Sequence, residues 1–224
     1  HRLWEENGLS NGENLDLSAN NNPLGFPDWL RAVVSRNLAD LVHYPEPTAR
    51  RLHQRVARHL GISAQEVLPG NGSSELIYLL ARIYPGKKAI IPVPAYNDYA
   101  TAAREAGLAV NFFYCPREDN FRLPIPELER TLHEGPALVF LGQPANPTGL
   151  MIPREQIYRL VETFPDAFFC LDEAFADFLP DYQSLTASIK DNMLVLRSLT
   201  KFYAIPGLRL GYAAGPPGLI KQMQ

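Results

Sequence analysis

From Val67 onward, short unbroken apolar runs alternate with longer stretches whose apolar residues recur every three or four positions. The runs fall at 67–68, 89–93, 110–114, 137–141, 167–171 and 193–196. Consecutive apolar positions over so few residues predict strands buried on both faces. Between the runs, Leu76, Ile77, Leu80 and Ile83 share one helical stripe that Pro85-Gly86 closes. Further helices are predicted over 98–106, 126–133 and 154–163. Strands alternating with helices indicate an α/β fold, a mostly parallel sheet with helices on both faces. The helix-free hop over 208–214 adds an antiparallel strand.

Upstream of Val67 the pattern is different. Residues 1–27 carry no periodicity and are rich in turn formers, so they read as an arm lying over another surface. Asp28 is a candidate cap for a first helix, with Trp29, Leu30, Val33, Val34, Leu38 and Leu41 on one stripe. After a break at 43–47, Thr48 is placed to cap a second helix that carries Leu52, Val56 and Leu60 and stops at Gly61. The expected organisation is an N-terminal arm and first helix over 1–47 and one large α/β domain over 48–224.

Composition narrows the classes. A hydrophobic fraction of 46% and a charged fraction of 20% are those of a soluble globular protein. A net charge of −3 gives no reason to expect nucleic acid or an acidic membrane as partner. No apolar run approaches the length of a membrane span, and the first residues lack the apolar core of a signal peptide. Cys115 and Cys170 form neither a metal-ligand spacing nor a disulfide framework, which suits a reducing cytoplasm. The five histidines do not cluster, so no metal site is expected. There is no P-loop and no G-x-S-x-G elbow.

The polar words of the chain fall at the carboxyl ends of the predicted strands, where sheets of this kind bind ligands. Gly72-Ser73-Ser74 enters a helix, and its free N–H groups make either an ordinary helix start or an anion seat. Tyr96 follows another strand and is either a half-buried tyrosine or a stacking platform for a flat ring. Asn146 lies in the turn word Asn146-Pro147-Thr148-Gly149, where its amide is available to a ligand oxygen. Asp172 closes an apolar strand; as a buried carboxylate it needs a partner, which can be a cap, an arginine or a protonated heterocyclic nitrogen. Glu173 is expected on the opposite face in a structural role. Lys201 sits just past the strand at 193–196, with Ser198 before it and Arg209 after it. It is either a solvated surface amine or one desolvated to form a Schiff base, and the flanking pair suits a phosphate.

A Schiff-base lysine, a carboxylate for a ring nitrogen, an aromatic for a ring face and a phosphate seat together describe a pocket for pyridoxal 5'-phosphate. In that order they resemble the fold-type I aminotransferase family. The words that carry the resemblance are Ser18-Ala19-Asn20-Asn21-Asn22-Pro23-Leu24-Gly25, Tyr44-Pro45, Gly70-Asn71-Gly72-Ser73-Ser74-Glu75, Asn146-Pro147-Thr148-Gly149, Asp172-Glu173-Ala174-Phe175 and the stretch from Ser198 to Tyr212. Two sister groups are similar: threonine-phosphate decarboxylases of cobalamin synthesis and histidinol-phosphate aminotransferases. The decarboxylases are the nearer, by the lysine segment, by Phe175 where the aminotransferases carry a tyrosine, and by Ala19-Asn20-Asn21-Asn22-Pro23 in the arm.

The resemblance implies a seven-stranded sheet of the large domain of pyridoxal phosphate-dependent transferases, with one antiparallel strand. It implies Lys201 as the catalytic, cofactor-bearing amine and Asp172 as partner of the pyridine nitrogen. Tyr96 would stack on the ring and Asn146 would donate to its phenolic oxygen. Ser73, Ser74, Ser198 and Arg209 would hold the phosphate, joined by Tyr44 from a partner subunit of a homodimer. Asn20 and Asn146 would meet the substrate, a small phosphorylated amino acid. The implied reaction is decarboxylation of O-phospho-L-threonine to an aminopropanol phosphate; the alternatives are an aminotransferase acting on a substrate such as histidinol phosphate, and a non-catalytic module that binds the cofactor. The family continues past the lysine segment with a small C-terminal domain that this chain lacks, so little turnover is expected of the chain alone. The decarboxylase arm usually opens with His-Gly-Gly, which His1-Arg2-Leu3 is not, and His1 stays outside the expected site.

Overall fold

The structure is a computed structural model that describes residues 19–224; the first 18 residues of the arm, with His1 and Ser18, lie outside it. Seven strands form one sheet: β1 (Val67–Asn71), β2 (Lys88–Val93), β3 (Ala109–Tyr114), β4 (Leu138–Gly142), β5 (Phe168–Asp172), β6 (Met193–Ser198) and β7 (Leu210–Ala214). Their order across the sheet is β1-β7-β6-β5-β4-β2-β3. Only β7 runs against its neighbours, pairing antiparallel with both β1 and β6. The expected fold class and the antiparallel strand at 208–214 are therefore both present.

Helices cover both faces, as the apolar central strands require, but the run at 110–114 is not buried on both faces as expected: it lies in the edge strand β3, which includes Asn111 and has no buried residue. On one face α3 (Ser73–Ile83), α4 (Asn97–Glu105) and α8 (Pro217–Met223) bury Leu76, Ile77, Leu80, Ala103 and Ile220. On the other, α5 (Ile125–Leu132) and α6 (Arg154–Thr163) bury Leu128, Leu132, Ile157 and Leu160. All six residues of β6 are buried, because it lies between the two layers in the middle of the sheet. A short helix, α7 (Leu199–Phe202), follows β6 directly.

Two expectations upstream need correction. The stripe through Leu41 is not one helix: α1 (Asp28–Arg36) gives way at Asn37 to a 3-10 turn over Leu38–Val42. At Asn37 the ladder tightens: its N–H is shared between the Val33 (3.3 Å) and Val34 (3.1 Å) carbonyls while its side-chain amide also donates to the Val33 carbonyl at 2.8 Å. Nor is Asp28 the cap; Pro27 holds that position and Asp28 lies in the first turn, where its charge suits the helix dipole. The second helix, α2 (Arg50–Leu60), starts past Thr48, with Ala49 left-handed at its N-cap. The Glu46 carboxylate accepts the Arg51 N–H at 3.3 Å and takes the capping role expected of Thr48. Gly61 ends the helix in the left-handed region, as expected.

The stripe is also not buried. No residue of α1 is in the core; Trp29 is 60% exposed, Leu41 78% and Val42 81%. Among the described residues no helix is long and apolar enough to cross a membrane.

Candidate functional site

Because β1, β2, β4, β5 and β6 run in one direction, their carboxyl ends share one edge of the sheet, and the start of β7 joins them there. A cavity of about 250 Å³ opens at that edge. Nine of the ten expected site residues line it: Asn20, Ser73, Ser74, Tyr96, Asn146, Asp172, Ser198, Lys201 and Arg209. Tyr44 does not line it and is wholly exposed.

Asp172 ends β5 and is 6% exposed. Its Oδ1 accepts the Ala174 N–H at 3.0 Å and its Oδ2 accepts the Tyr99 hydroxyl at 2.7 Å. Burial pushes this carboxyl up from its ordinary range, the Tyr99 and Ala174 donors and the Lys201 charge draw it down, and the Glu173 charge pushes it up. Burial prevails. Lys201 lies in α7, half-buried, and the arm is tied to its backbone: the Asn22 N–H donates to the Lys201 carbonyl at 3.0 Å and the Asn22 amide to the Phe202 carbonyl at 2.9 Å.

The anion seat joins segments remote in sequence. Gly72, at φ +82, turns the chain from β1 into α3, whose first residues are Ser73 and Ser74. The Arg209 guanidinium lies over this turn; a Cβ on Gly72 would stand 2.5 Å from Arg209 Nη2. Gly211 lets β7 pass the same turn, since a Cβ there would stand 2.7 Å from Ser73 N and 2.9 Å from the Arg197 carbonyl oxygen. From β6, Ser198 Oγ lies 2.8 Å from Thr200 Oγ1, and both residues face the cavity. Helix N–H groups, hydroxyls and a guanidinium thus surround one small volume.

The Tyr96 ring meets Tyr99 edge-on, centroids 5.6 Å apart, and its hydroxyl donates to Asp98 Oδ2 at 2.7 Å. Glu173 faces away from the cavity and is fully buried. It accepts from the Tyr182 hydroxyl (2.7 Å), the Ser184 hydroxyl (2.5 Å), the Leu185 N–H (2.8 Å) and Arg197 (3.0 Å). Arg197 also binds Asp177.

Three cavity residues escape a reading of motifs. Tyr99 stands one turn after Tyr96 on the buried stripe of α4, so helical spacing alone marks it as core. Thr200 adjoins Lys201 but carries no charge to draw notice. Phe175 registers in sequence only as a departure from tyrosine, yet it forms part of the wall.

A rim lysine, a buried strand-end carboxylate and an anion seat around one cavity of a doubly covered α/β sheet define an enzyme that holds a phosphorylated cofactor. The profile of the family described as aminotransferase class I and II matches residues 12–224. The chain belongs to that family. It is 36% identical over 218 residues to the adenosylcobalamin biosynthesis bifunctional protein CobDQ of Leptospira interrogans, covering 96% of this chain and 25% of that protein. It is 38% identical over 209 residues to the threonine-phosphate decarboxylase of Salmonella typhimurium, covering 92% of this chain and 57% of that enzyme. The crystal structure of the histidinol-phosphate aminotransferase of Clostridium acetobutylicum superposes with a TM-score of 0.85 at 28% identity, covering 94% of this chain and 63% of that one. The chain thus spans between 25% and 63% of the length of these relatives.

Enzymes of this family depend on pyridoxal 5'-phosphate. The donor set fits that group, with helix N–H groups, hydroxyls and a guanidinium around one small volume and a buried carboxylate whose two oxygens each retain accepting capacity.

Proposed function

We propose that the protein containing this chain decarboxylates O-phospho-L-threonine to an aminopropanol phosphate, with pyridoxal phosphate as cofactor. The observation that carries the cofactor reading is the meeting of Lys201, Asp172 and the Ser73–Arg209 anion seat at one cavity. The substrate reading is favoured by the 38% identity to a threonine-phosphate decarboxylase, against 31–33% to histidinol-phosphate aminotransferases. The second reading, transfer of the amino group of a phosphorylated amino acid, is favoured by the superposition on a histidinol-phosphate aminotransferase.

The cofactor, when bound, supplies an electron sink for the pair left by the departing carboxylate. Lys201 would hold it through Nζ and is the amine available to move a proton at the substrate Cα. Ser73, Ser74, Ser198 and Arg209 would bind its phosphate, with Thr200 supporting Ser198. Asp172 would face the ring nitrogen, Tyr96 would flank the ring, and Asn146 would donate to the phenolic oxygen. Which substrate bond breaks is a matter of positioning, and Asn20 and Asn146 would take part in it. Tyr44, wholly exposed on its own subunit, would complete the phosphate site of a second copy in a homodimer. We place the enzyme in the cytoplasm; its two free cysteines, Cys115 and Cys170, are in keeping with that setting.

The test is incubation of the full-length protein with phosphothreonine, with and without a 2-oxo acid. CO₂ released without the acceptor supports decarboxylation; amino transfer with the carboxylate retained would sink it. Lys201→Ala should abolish a borohydride-sensitive absorbance band and lower turnover at least a thousandfold, roughly the scale of losing a covalent catalyst. A non-catalytic module would keep its affinity in that variant.

A further inference from the structure

Asp172 poses a problem that the proposed function leaves open. A carboxylate with so little exposure is favoured as the neutral acid unless donors hold its charge, and a neutral acid cannot keep a ring nitrogen cationic. The charged and titratable groups around it are Lys201 on α7, Cys170 on β5, Glu173 just past it, Tyr96 at the N-cap of α4 and Tyr99 in its first turn. Of these, only Tyr99 gives the carboxylate a hydrogen bond, at 2.7 Å to Oδ2.

Tyr99 is itself fixed. It is 4% exposed, its ring stacks on Phe140 of β4 with centroids 5.0 Å apart and planes 10° from parallel, and Tyr96 meets it edge-on. Burial, followed by the charge of Asp172, pushes its phenol well above the ordinary tyrosine range, so it remains protonated and a donor. The phenol is a rigid arm delivered from a neighbouring element to one oxygen of the carboxylate, and the Ala174 N–H occupies the other.

We propose that Tyr99 is the positioning residue for Asp172, its hydroxyl holding the carboxylate ionised and in one rotamer so that the remaining accepting capacity serves a cationic ligand nitrogen. The proposal rests on the reading of Asp172 as partner of the ring nitrogen and assigns a role to a cavity residue outside the expected cofactor and substrate contacts. Tyr99→Phe removes one oxygen and leaves the Phe140 stack in place.

The experiment uses the full-length protein, freed of cofactor and labelled with ¹³C at the aspartate carboxyls, with Asp172 assigned by the signal lost in Asp172→Asn. In Tyr99→Phe the proton affinity of Asp172 should rise about tenfold, the scale of one charge-stabilising hydrogen bond. In the loaded protein, the ¹⁵N resonance of ring-labelled cofactor should move toward the unprotonated position at the same pH. An Asp172 midpoint equal in the two proteins overturns the proposal. Should Tyr99→Phe fail to fold, the wild type decides: the Tyr99 hydroxyl resonance should shift as Asp172 titrates, and a resonance that passes through that titration unmoved overturns the proposal equally. If instead the wild type takes up no cofactor, the proposed function fails while the carboxyl titration still decides the role of Tyr99.

Discussion

Two residues of the site carry separable costs. Asp172 keeps its proton to higher pH when folded than when unfolded, so the folded state binds more protons between those two midpoints. Stability therefore falls as pH rises through that window, from the ordinary carboxylate range to the raised midpoint, and stays lower above it. Asp172→Asn should flatten this dependence and raise the unfolding temperature of the cofactor-free protein at neutral pH, measured by calorimetry, while weakening cofactor uptake. Gly72 behaves differently. The atom that a new Cβ would meet is the free end of a long side chain, which can swing away, so the steric term is small, but φ +82 with ψ 166 is a backbone region essentially confined to glycine and costs about 1–3 kcal/mol of stability. Displacing Arg209 acts on binding instead: Gly72→Ala should weaken cofactor binding roughly tenfold to a hundredfold, as for a lost charge-assisted hydrogen bond, read by fluorescence titration. Asp172 was legible in sequence because a carboxylate ending an apolar run is conspicuous. Tyr99 was not, because the pattern that makes it inward-facing is the one that makes any core residue so.

Among elements, β5 and β6 are clamped at their carboxyl ends by the Glu173–Arg197 pair, which also anchors the loop at Tyr182, Ser184 and Leu185. Arg197→Leu would leave a carboxylate of zero exposure unpaired, a cost of about 3–5 kcal/mol. In a chain of this size that is a drop of roughly 6–20 °C in Tm. Adding Glu173→Gln should recover part of the loss; no recovery would mean that the pair is not the cause. The central strands from residue 67 onward were legible because burial on two faces leaves no room for polar interruption, a reason that does not extend to the edge strand β3, which carries Asn111 and has no buried residue. Boundaries before residue 61 were not, because the shared N–H at Asn37 and the Glu46 bond to the Arg51 N–H are local hydrogen-bond choices that no periodicity registers.

For the whole molecule, Trp29, Leu41, Val42 and Tyr44 are exposed large side chains, open to a second copy as the homodimer reading needs. If Tyr44 serves its partner's site, Lys201→Ala and Tyr44→Ala proteins, each inactive alone, should regain activity when mixed. Random pairing of two subunits leaves one intact site in half of the dimers, about a quarter of the wild-type total. No gain on mixing would mean that Tyr44 acts within its own subunit or not at all. The cofactor class was legible in sequence because its ligands are few and chemically distinct. The reaction was not, since orientation of one bond depends on angles that residue identity does not encode.

The neighbouring of β1 and β7 has a consequence for synthesis. The turn at Gly72 emerges from the ribosome long before Arg209, yet the two close the same seat only when Leu210–Ala214 is inserted between β1 and β6. A nascent chain has most of its sheet and no place for the cofactor. Uptake of pyridoxal phosphate by arrested chains should begin only once β7 has cleared the exit tunnel, so the cofactor reports that the last strand has arrived.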